Sequence, residues 1–141
     1  MAEPIVVADE ALAAEAERVI SDGLNAFNDE ATGAPDRQPL AVVVQDPETG
    51  AVLGGVAGRT SLGLLFLNVF YLPGHLRSAG LGSRILRMAE EEARRRGCRA
   101  GVLLTISFQA PGFYEKHGWR RFGEVACHPP GTSRVFMAKE L

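Results

Sequence analysis

The chain predicts an α/β domain built on a mixed central β-sheet, antiparallel at both ends and parallel in the centre, with flanking helices. Three observations carry that reading. Leu64 to Leu72 and Ala100 to Ile106 are nearly continuous apolar runs of strand length, as expected of central strands buried on both faces. Between them, Leu81 to Arg96 has the periodicity of an amphipathic helix, and strand–helix–strand in that order makes a right-handed crossover with parallel neighbours. The other strand candidates are separated by segments rich in Pro, Gly and Asp, as turns require. A length of 141 residues suits one compact domain, 1–141, without room for two cores.

The elements follow in order. Pro4 to Ala8 is a short apolar run that reads as an edge strand. Asp9 can cap a helix whose apolar positions Leu12, Ala16, Val19, Ile20, Leu24 and Phe27 recur on one face; it ends before Thr32-Gly33-Ala34-Pro35. Leu40 to Gln45 is β-branched and apolar, and the turn Asp46-Pro47-Glu48-Thr49-Gly50 leads into Ala51 to Thr60, giving a hairpin. Gly54, Gly55 and Gly58 weaken the second strand unless something packs closely upon it. Pro73-Gly74 closes the next strand. The following helix turns Leu81, Ile85, Met88, Ala89 and Ala93 inward and stops at Gly97. After Ala100 to Ile106 comes a short helix, Pro111 to His117. Two final strands, Trp119 to Val125 and Arg134 to Lys139, are joined by a stiff loop, Cys127 to Thr132, carrying Pro129-Pro130-Gly131.

Composition narrows the function classes. A net charge of −2 with 23% charged residues argues against a nucleic-acid partner, which would want a clustered basic surface. Nothing approaches a membrane-spanning run, and Met1-Ala2-Glu3-Pro4 lacks the start of a signal peptide, so the expected location is cytoplasmic. Cys98 and Cys127 are far apart and read as small, buried or half-buried thiols. Arg94, Arg95, Arg96 and Arg99 read as a solvated helix end, with Glu90–Arg94, Glu91–Arg95 and Glu92–Arg96 at i,i+4 spacing. His75 is expected exposed in its turn, His117 closes a helix, and His128 precedes a proline pair; no metal-ligand spacing links them, so no metal is expected. There is no G-x-S-x-G elbow of a serine hydrolase.

Chemistry concentrates in the corner from Leu72 to Ser83. The chain passes there from an apolar strand through a tight turn into the first turn of a helix. A helix start exposes N–H groups without partners and favours negative charge. Gly80 and Gly82 remove side chains that would keep a ligand away, and Arg77 adds a fixed positive charge. The arrangement suits a pyrophosphate. A Rossmann fingerprint fails because the third glycine position is Ile85 and no acidic residue ends the next strand; a P-loop fails for want of Gly-Lys-Ser/Thr. What remains is R-x-x-G-x-G.

That motif in Arg77-Ser78-Ala79-Gly80-Leu81-Gly82, followed by Phe113-Tyr114-Glu115-Lys116-His117-Gly118-Trp119, resembles the GNAT superfamily of N-acetyltransferases. Thr105 to Tyr114 further resembles small bacterial members. The resemblance implies a GNAT fold in which the two central parallel strands splay and acetyl-CoA lies in the wedge. It implies that the backbone of Leu72 bonds the pantetheine arm and that the Phe70 N–H faces the thioester oxygen, where negative charge develops. The amides of Ser78, Ala79, Gly80, Leu81, Gly82 and Ser83 would hold the pyrophosphate beside Arg77. Ser107 stands where many relatives carry a pantetheine-contacting asparagine, and Phe113 belongs to the cofactor side. Tyr114 would donate a proton, or a hydrogen bond, to the departing CoA sulfur. With a model thiol about 1.5 units more acidic than a phenol, the hydrogen bond is the safer role.

Two positions depart from the family pattern. Asn68 and Leu104 stand where relatives often carry acidic residues, and neither can serve as a general base. A water chain or a residue elsewhere could replace the base, the nucleophile could be a less basic amine, or catalysis could be weak or lost. Phe66, Phe70 and Leu104 suggest an apolar pocket and so favour a less basic or apolar-flanked amine. The expected function is transfer of an acetyl group from acetyl-CoA to an amine of a small molecule or peptide by direct attack in a ternary complex. A non-catalytic acyl-CoA-binding or sensing module is the alternative, and an interaction protein that keeps only the fold is a third reading. The acceptor pocket is expected from the first helix, Asn28 to Gln38 and the Cys127–Thr132 loop. Dimerisation is common in the family, so a homodimer is an assembly the resemblance allows.

Overall fold

The computed structural model describes residues 2–141; Met1, the first residue of the segment read for a leader, lies outside them. The chain divides into two compact units, one ending at Pro35 and the other spanning Asp36–Leu141. In the first, the Asp9 side chain accepts from the Ala11 N–H (2.9 Å) and opens a short 3-10 turn, Glu10–Leu12, that runs into helix α1, Ala13–Thr32. Gly33, left-handed at φ 73°, ends α1 by returning its N–H to the Asp29 carbonyl. No residue of α1 is buried. Pro4 to Ala8 is not the expected edge strand. Apolar side chains alone do not make one, because a strand needs a neighbour for its backbone groups, and the sheet pairs without this run.

The second unit contains β1 (Gln38–Gln45), β2 (Val52–Ser61), β3 (Leu64–Tyr71), α2 (Leu81–Arg95), β4 (Ala100–Ile106), α3 (Pro111–Lys116), β5 (Arg120–Ala126) and β6 (Ser133–Glu140). Its six strands lie in the order β1-β2-β3-β4-β6-β5. Only β3 and β4 run parallel, as the crossover through α2 requires; the other neighbours are antiparallel. Among the described residues no helix is long and apolar enough to cross a membrane.

The core lies between α2 and one face of the sheet. Leu40, Val56, Leu65, Leu67 and Leu103 meet Ile85, Leu86, Ala89 and Ala93 there, with Val135 and Met137 completing it. Each large aliphatic side chain so removed from water contributes about 1.5–3 kcal/mol. Met88 is not among them: it stays 46% exposed, and Leu86 takes the inward place. The buried stripe runs 85, 86, 89, 90, 93, which is rotated away from position 88.

Glu90 lies on that stripe and is buried, contrary to the solvated face expected for the charged helix end. It accepts from Lys139 Nζ (2.6 Å) and Trp119 Nε1 (3.2 Å), so α2 is tied to β6 and to the residue before β5. Arg94 stands 3.6 Å from the same carboxylate. Arg95 pairs with Glu92 and not with Glu91. Arg96 bonds Glu92 at 3.0 Å and reaches the Pro39 carbonyl and Thr60 Oγ1, both at 3.1 Å, stapling the end of α2 to β1 and β2.

The glycines of β2 do have close neighbours. A Cβ on Gly54 would lie 2.6 Å from the Tyr71 carbonyl oxygen, and one on Gly58 would overlap the Phe66 carbonyl. Gly58 stands where the β2–β3 register slips: Gly58 faces Leu67 and Ala57 faces Val69, leaving Asn68 as the extra residue of a bulge. Cys98 is buried and Cys127 half-buried, both free thiols. Desolvation pushes the Cys98 thiol up, which keeps it neutral and unreactive.

Candidate active site

The bulge at Asn68 marks the start of a wedge. β3 and β4 pair only from Leu64↔Ala100 to Leu67↔Leu103. Both strands continue, β3 against β2 as far as Tyr71 and β4 against β6 as far as Ile106, but they no longer bond each other. The facing edges of 68–71 and 104–106 therefore present backbone donors and acceptors without a ladder partner. An open cavity occupies the gap, and all its walls belong to the Asp36–Leu141 unit.

One end of the cavity is the glycine corner. Gly80, left-handed at φ 75°, is the N-cap of α2, and the Arg84 N–H closes the first helical turn onto the Gly80 carbonyl at 3.2 Å. The amides of Leu81, Gly82 and Ser83 precede that bond and are the orphan donors of the helix start. Ser78 and Ala79 are exposed just before it. Gly82 lies under the Phe113 ring, which a Cβ would touch at 3.4 Å. Arg77 lines the cavity, and its Nε donates to the Leu72 carbonyl at 2.7 Å. The Leu72 acceptor expected for the pantetheine arm thus already has a partner within the chain. Ser83 Oγ is 2.9 Å from His117 Nε2, a link between α2 and the end of α3 that sequence spacing did not reveal.

The floor is aromatic. Phe70 meets Phe113 (5.8 Å between centroids) and Tyr114 (6.3 Å) edge-on, and Tyr114 meets Trp119 at 6.2 Å. Pro111 at the start of α3 and the Trp119 N–H returned to the Tyr114 carbonyl (3.1 Å) fix this short helix. Tyr114 is buried yet lines the cavity, and desolvation pushes its phenol up to about 12. Ser107 is engaged with β6: its Oγ accepts from the Ser133 N–H at 2.9 Å, and its own N–H donates to the Ser133 carbonyl at 2.8 Å. Gln109, absent from the sequence-based site, lines the cavity and accepts from the Ile106 N–H at 3.0 Å. Its sequence signal is its place within the Thr105 to Tyr114 segment that resembles small bacterial members.

At the other end lie Asn68, Leu104, Phe66, Phe122 and Phe136, with Arg59 and Arg134. Arg59 was not foreseen either. It faces Phe66 across the hairpin, its guanidinium 4.3 Å from the ring centroid, and its Nη1 donates to Asn68 Oδ1 at 3.2 Å. The cavity lining includes no Asp or Glu. The 127–132 loop does not line this cavity, His128 is exposed, and so is His75. Among the described residues no three His, Cys, Asp or Glu side chains gather as a metal site would require.

A mixed sheet is thus split between its two parallel strands, with a helix N-terminus at one end of the opening and a buried tyrosine at its floor. The sequence profile of the Acetyltransferase (GNAT) family matches residues 9–119, and the chain belongs to that family. Acetyltransferase Atu2258 of Agrobacterium fabrum is 33% identical over 128 residues, covering 91% of this chain and 93% of that protein. Blasticidin-S acetyltransferase of Streptomyces morookaense is 37% identical over 95 residues, 67% of this chain and 70% of that one. A crystal structure from Agrobacterium tumefaciens, 32% identical, superposes with a TM-score of 0.83 over 100% of both chains. The chain is an N-acetyltransferase by family and by these relatives.

Proposed function

We propose that this chain, acting as one domain over 1–141, transfers an acetyl group from acetyl-CoA to an amine of a small molecule or peptide by direct attack in a ternary complex. The observation that carries the reading is the parting of β3 and β4 beyond Leu67 and Leu103, which leaves strand edges facing a cavity with the α2 N-terminus at one end. The cavity holds about 1410 Å³, more than a one-ligand cleft needs and enough for a thioester arm and an acceptor side by side. The Streptomyces relative, by its name, acts on blasticidin S, which supports a small-molecule acceptor.

In this reading Arg77 and the amides from Ser78 to Ser83 hold the pyrophosphate, while the backbone at Leu72, just past β3, and Phe113 hold the arm, with Ser107 outside the cavity lining and bonded to Ser133. The Phe70 N–H bonds the thioester oxygen as the amine adds. Tyr114 then faces the departing sulfur. A free thiol ionises near 8.5 and this phenol near 12, so complete proton transfer to the thiolate costs about 5 kcal/mol. Tyr114 therefore stabilises the thiolate as a hydrogen-bond donor and keeps its proton. Asn68 orients and does not deprotonate, so the amine must arrive neutral, and the proton it sheds after addition passes to the departing thiolate or to solvent. Thiol release from acetyl-CoA with a panel of amines tests the proposal. Turnover that falls roughly tenfold or more in Tyr114→Phe supports it; tight CoA binding without turnover on any amine supports the sensing module instead.

A further inference from the structure

We infer that the acceptor is an amine that also carries a carboxylate on an apolar body, and that Arg59 binds that carboxylate. The inference rests on the acetyltransferase reading above. Three arginines line the cavity and no acidic residue does. Arg77 belongs to the glycine corner, where its Nε is spent on the Leu72 carbonyl. Neither Arg59 nor Arg134 enters any ion pair among the described residues, and Arg59 stands apart by how it is held. Its guanidinium is held in place without being neutralised, by the Phe66 ring beneath (4.3 Å) and the Asn68 amide oxygen beside it (3.2 Å). A guanidinium has five donors in a fixed fork, and one bond to Asn68 leaves the geometry for a bidentate carboxylate.

The position matters as much as the charge. Asn68 is the bulge residue at the point where β3 leaves β4, and the exposed Arg59 reaches it from β2, so in the proposed reading the guanidinium lies beside the mouth through which an acceptor would enter. A carboxylate on Arg59 places an amine a few bonds away beside Asn68, facing the thioester. The neighbouring walls, Phe66, Leu104, Phe122 and Phe136, take an apolar or aromatic body. The same field disfavours a second ammonium, because a cation entering here meets arginine and no carboxylate. Polyamines and aminoglycoside-like cations are thereby selected against, and amino-acid-like amines selected for.

Matched pairs of amines test this, phenylalanine against phenethylamine and leucine against isoamylamine, with rates compared per neutral amine because an α-amino group is less basic than an alkyl amine. Thiol release with the full chain is expected to favour the carboxylated member by roughly tenfold to a hundredfold in kcat/KM, the worth of one charge-assisted bond. Arg59→Gln is expected to bring that ratio near one, chiefly through KM, and Arg59→Lys to restore part of it; Arg134→Gln keeps the ratio. Melting temperature checks that the variants fold. Calorimetry of N-acetylphenylalanine against the CoA-bound protein reads the same contact without turnover, with binding weakened in Arg59→Gln. Equal use of both members, a preference for the decarboxylated one, or a ratio abolished by Arg134→Gln instead overturns the inference while acetyl transfer stands. No heat from acetyl-CoA and no turnover on any amine overturns the acetyltransferase reading, and this inference with it.

Discussion

The two central strands lead different lives along their length. From Leu64 to Leu67, and from Ala100 to Leu103, they bond each other, and Leu65, Leu67 and Leu103 are buried in the core. Beyond that point the same strands separate, Asn68 and Leu104 are exposed, and the cavity opens. One half is a packing problem solved by volume; the other is a binding problem solved by leaving backbone groups unmatched. A bulge of one residue, admitted by the bare backbone of Gly58, divides them. Under the proposed function, stability and chemistry fall to adjacent stretches of one ladder, and substitutions in the two halves should separate cleanly.

The largest effect belongs beneath the closed half, at the carboxylate that ties α2 to β6. Lys139→Met removes the main partner of buried Glu90, leaving Trp119 Nε1 and Arg94 around it. An uncompensated buried charge costs about 3–5 kcal/mol, and the remaining Arg94 holds the loss to the lower end, about 3 kcal/mol, read as a lowered midpoint in urea. Next comes Gly101→Ala. Its Cβ would sit 2.6 Å from Trp119 Cη2, and overpacking of this kind costs roughly 1–3 kcal/mol. A neutral result at either position would mean that the closed half is not where stability is concentrated.

How much of this contrast was legible in the sequence follows from the range of the interactions. β4 was readable from Ala100 to Ile106 because an apolar run bounded by charge and turn residues declares itself locally. The hairpin glycines and the Gly80 corner were readable for the same reason. The register slip at Asn68 was not, since it is set by Gly58 across the hairpin. Glu90 looked like its exposed neighbours because its partners, Lys139 and Trp119, lie 49 and 29 residues away. Arg59 is a lone cation in an otherwise small and apolar strand, and that contrast is its only local signal, because Phe66 meets it only through the hairpin register. Pro4 to Ala8 failed in the opposite sense: local pattern promised a strand that no neighbour completes.

In the open half, Tyr114→Phe should lower kcat roughly tenfold to a hundredfold, the loss of one hydrogen bond to a developing thiolate, with KM for acetyl-CoA changed by about twofold at most. The pH dependence carries its own sign. Burial favours the neutral phenol and lifts it from 10 to about 12 in the folded protein. The stabilisation is therefore complete below about pH 10, where the unfolded chain is also protonated, and is lost as pH rises through 12. Denaturation midpoints of the wild type should fall across that window more steeply than those of Tyr114→Phe. Within the enzyme reading, kcat should show no fall from tyrosine ionisation between pH 8 and 11.

The smallest effect is the most discriminating. Leu104 is a large apolar residue on a central strand, one position beyond the last β3–β4 pair, and by pattern alone it belongs to the core. It is nevertheless 45% exposed, on the cavity side. Leu104→Ala should shift stability by no more than about 0.5–1 kcal/mol, against about 2–5 kcal/mol for truncating a buried leucine such as Leu103. Its measurable consequence, if the proposed function holds, should be a raised KM for the amine with acetyl-CoA affinity preserved, because the side chain lines the cavity away from the glycine corner. A stability loss at Leu104 equal to that at Leu103 would mean that the strands do not part in solution, and the wedge would have to be sought elsewhere.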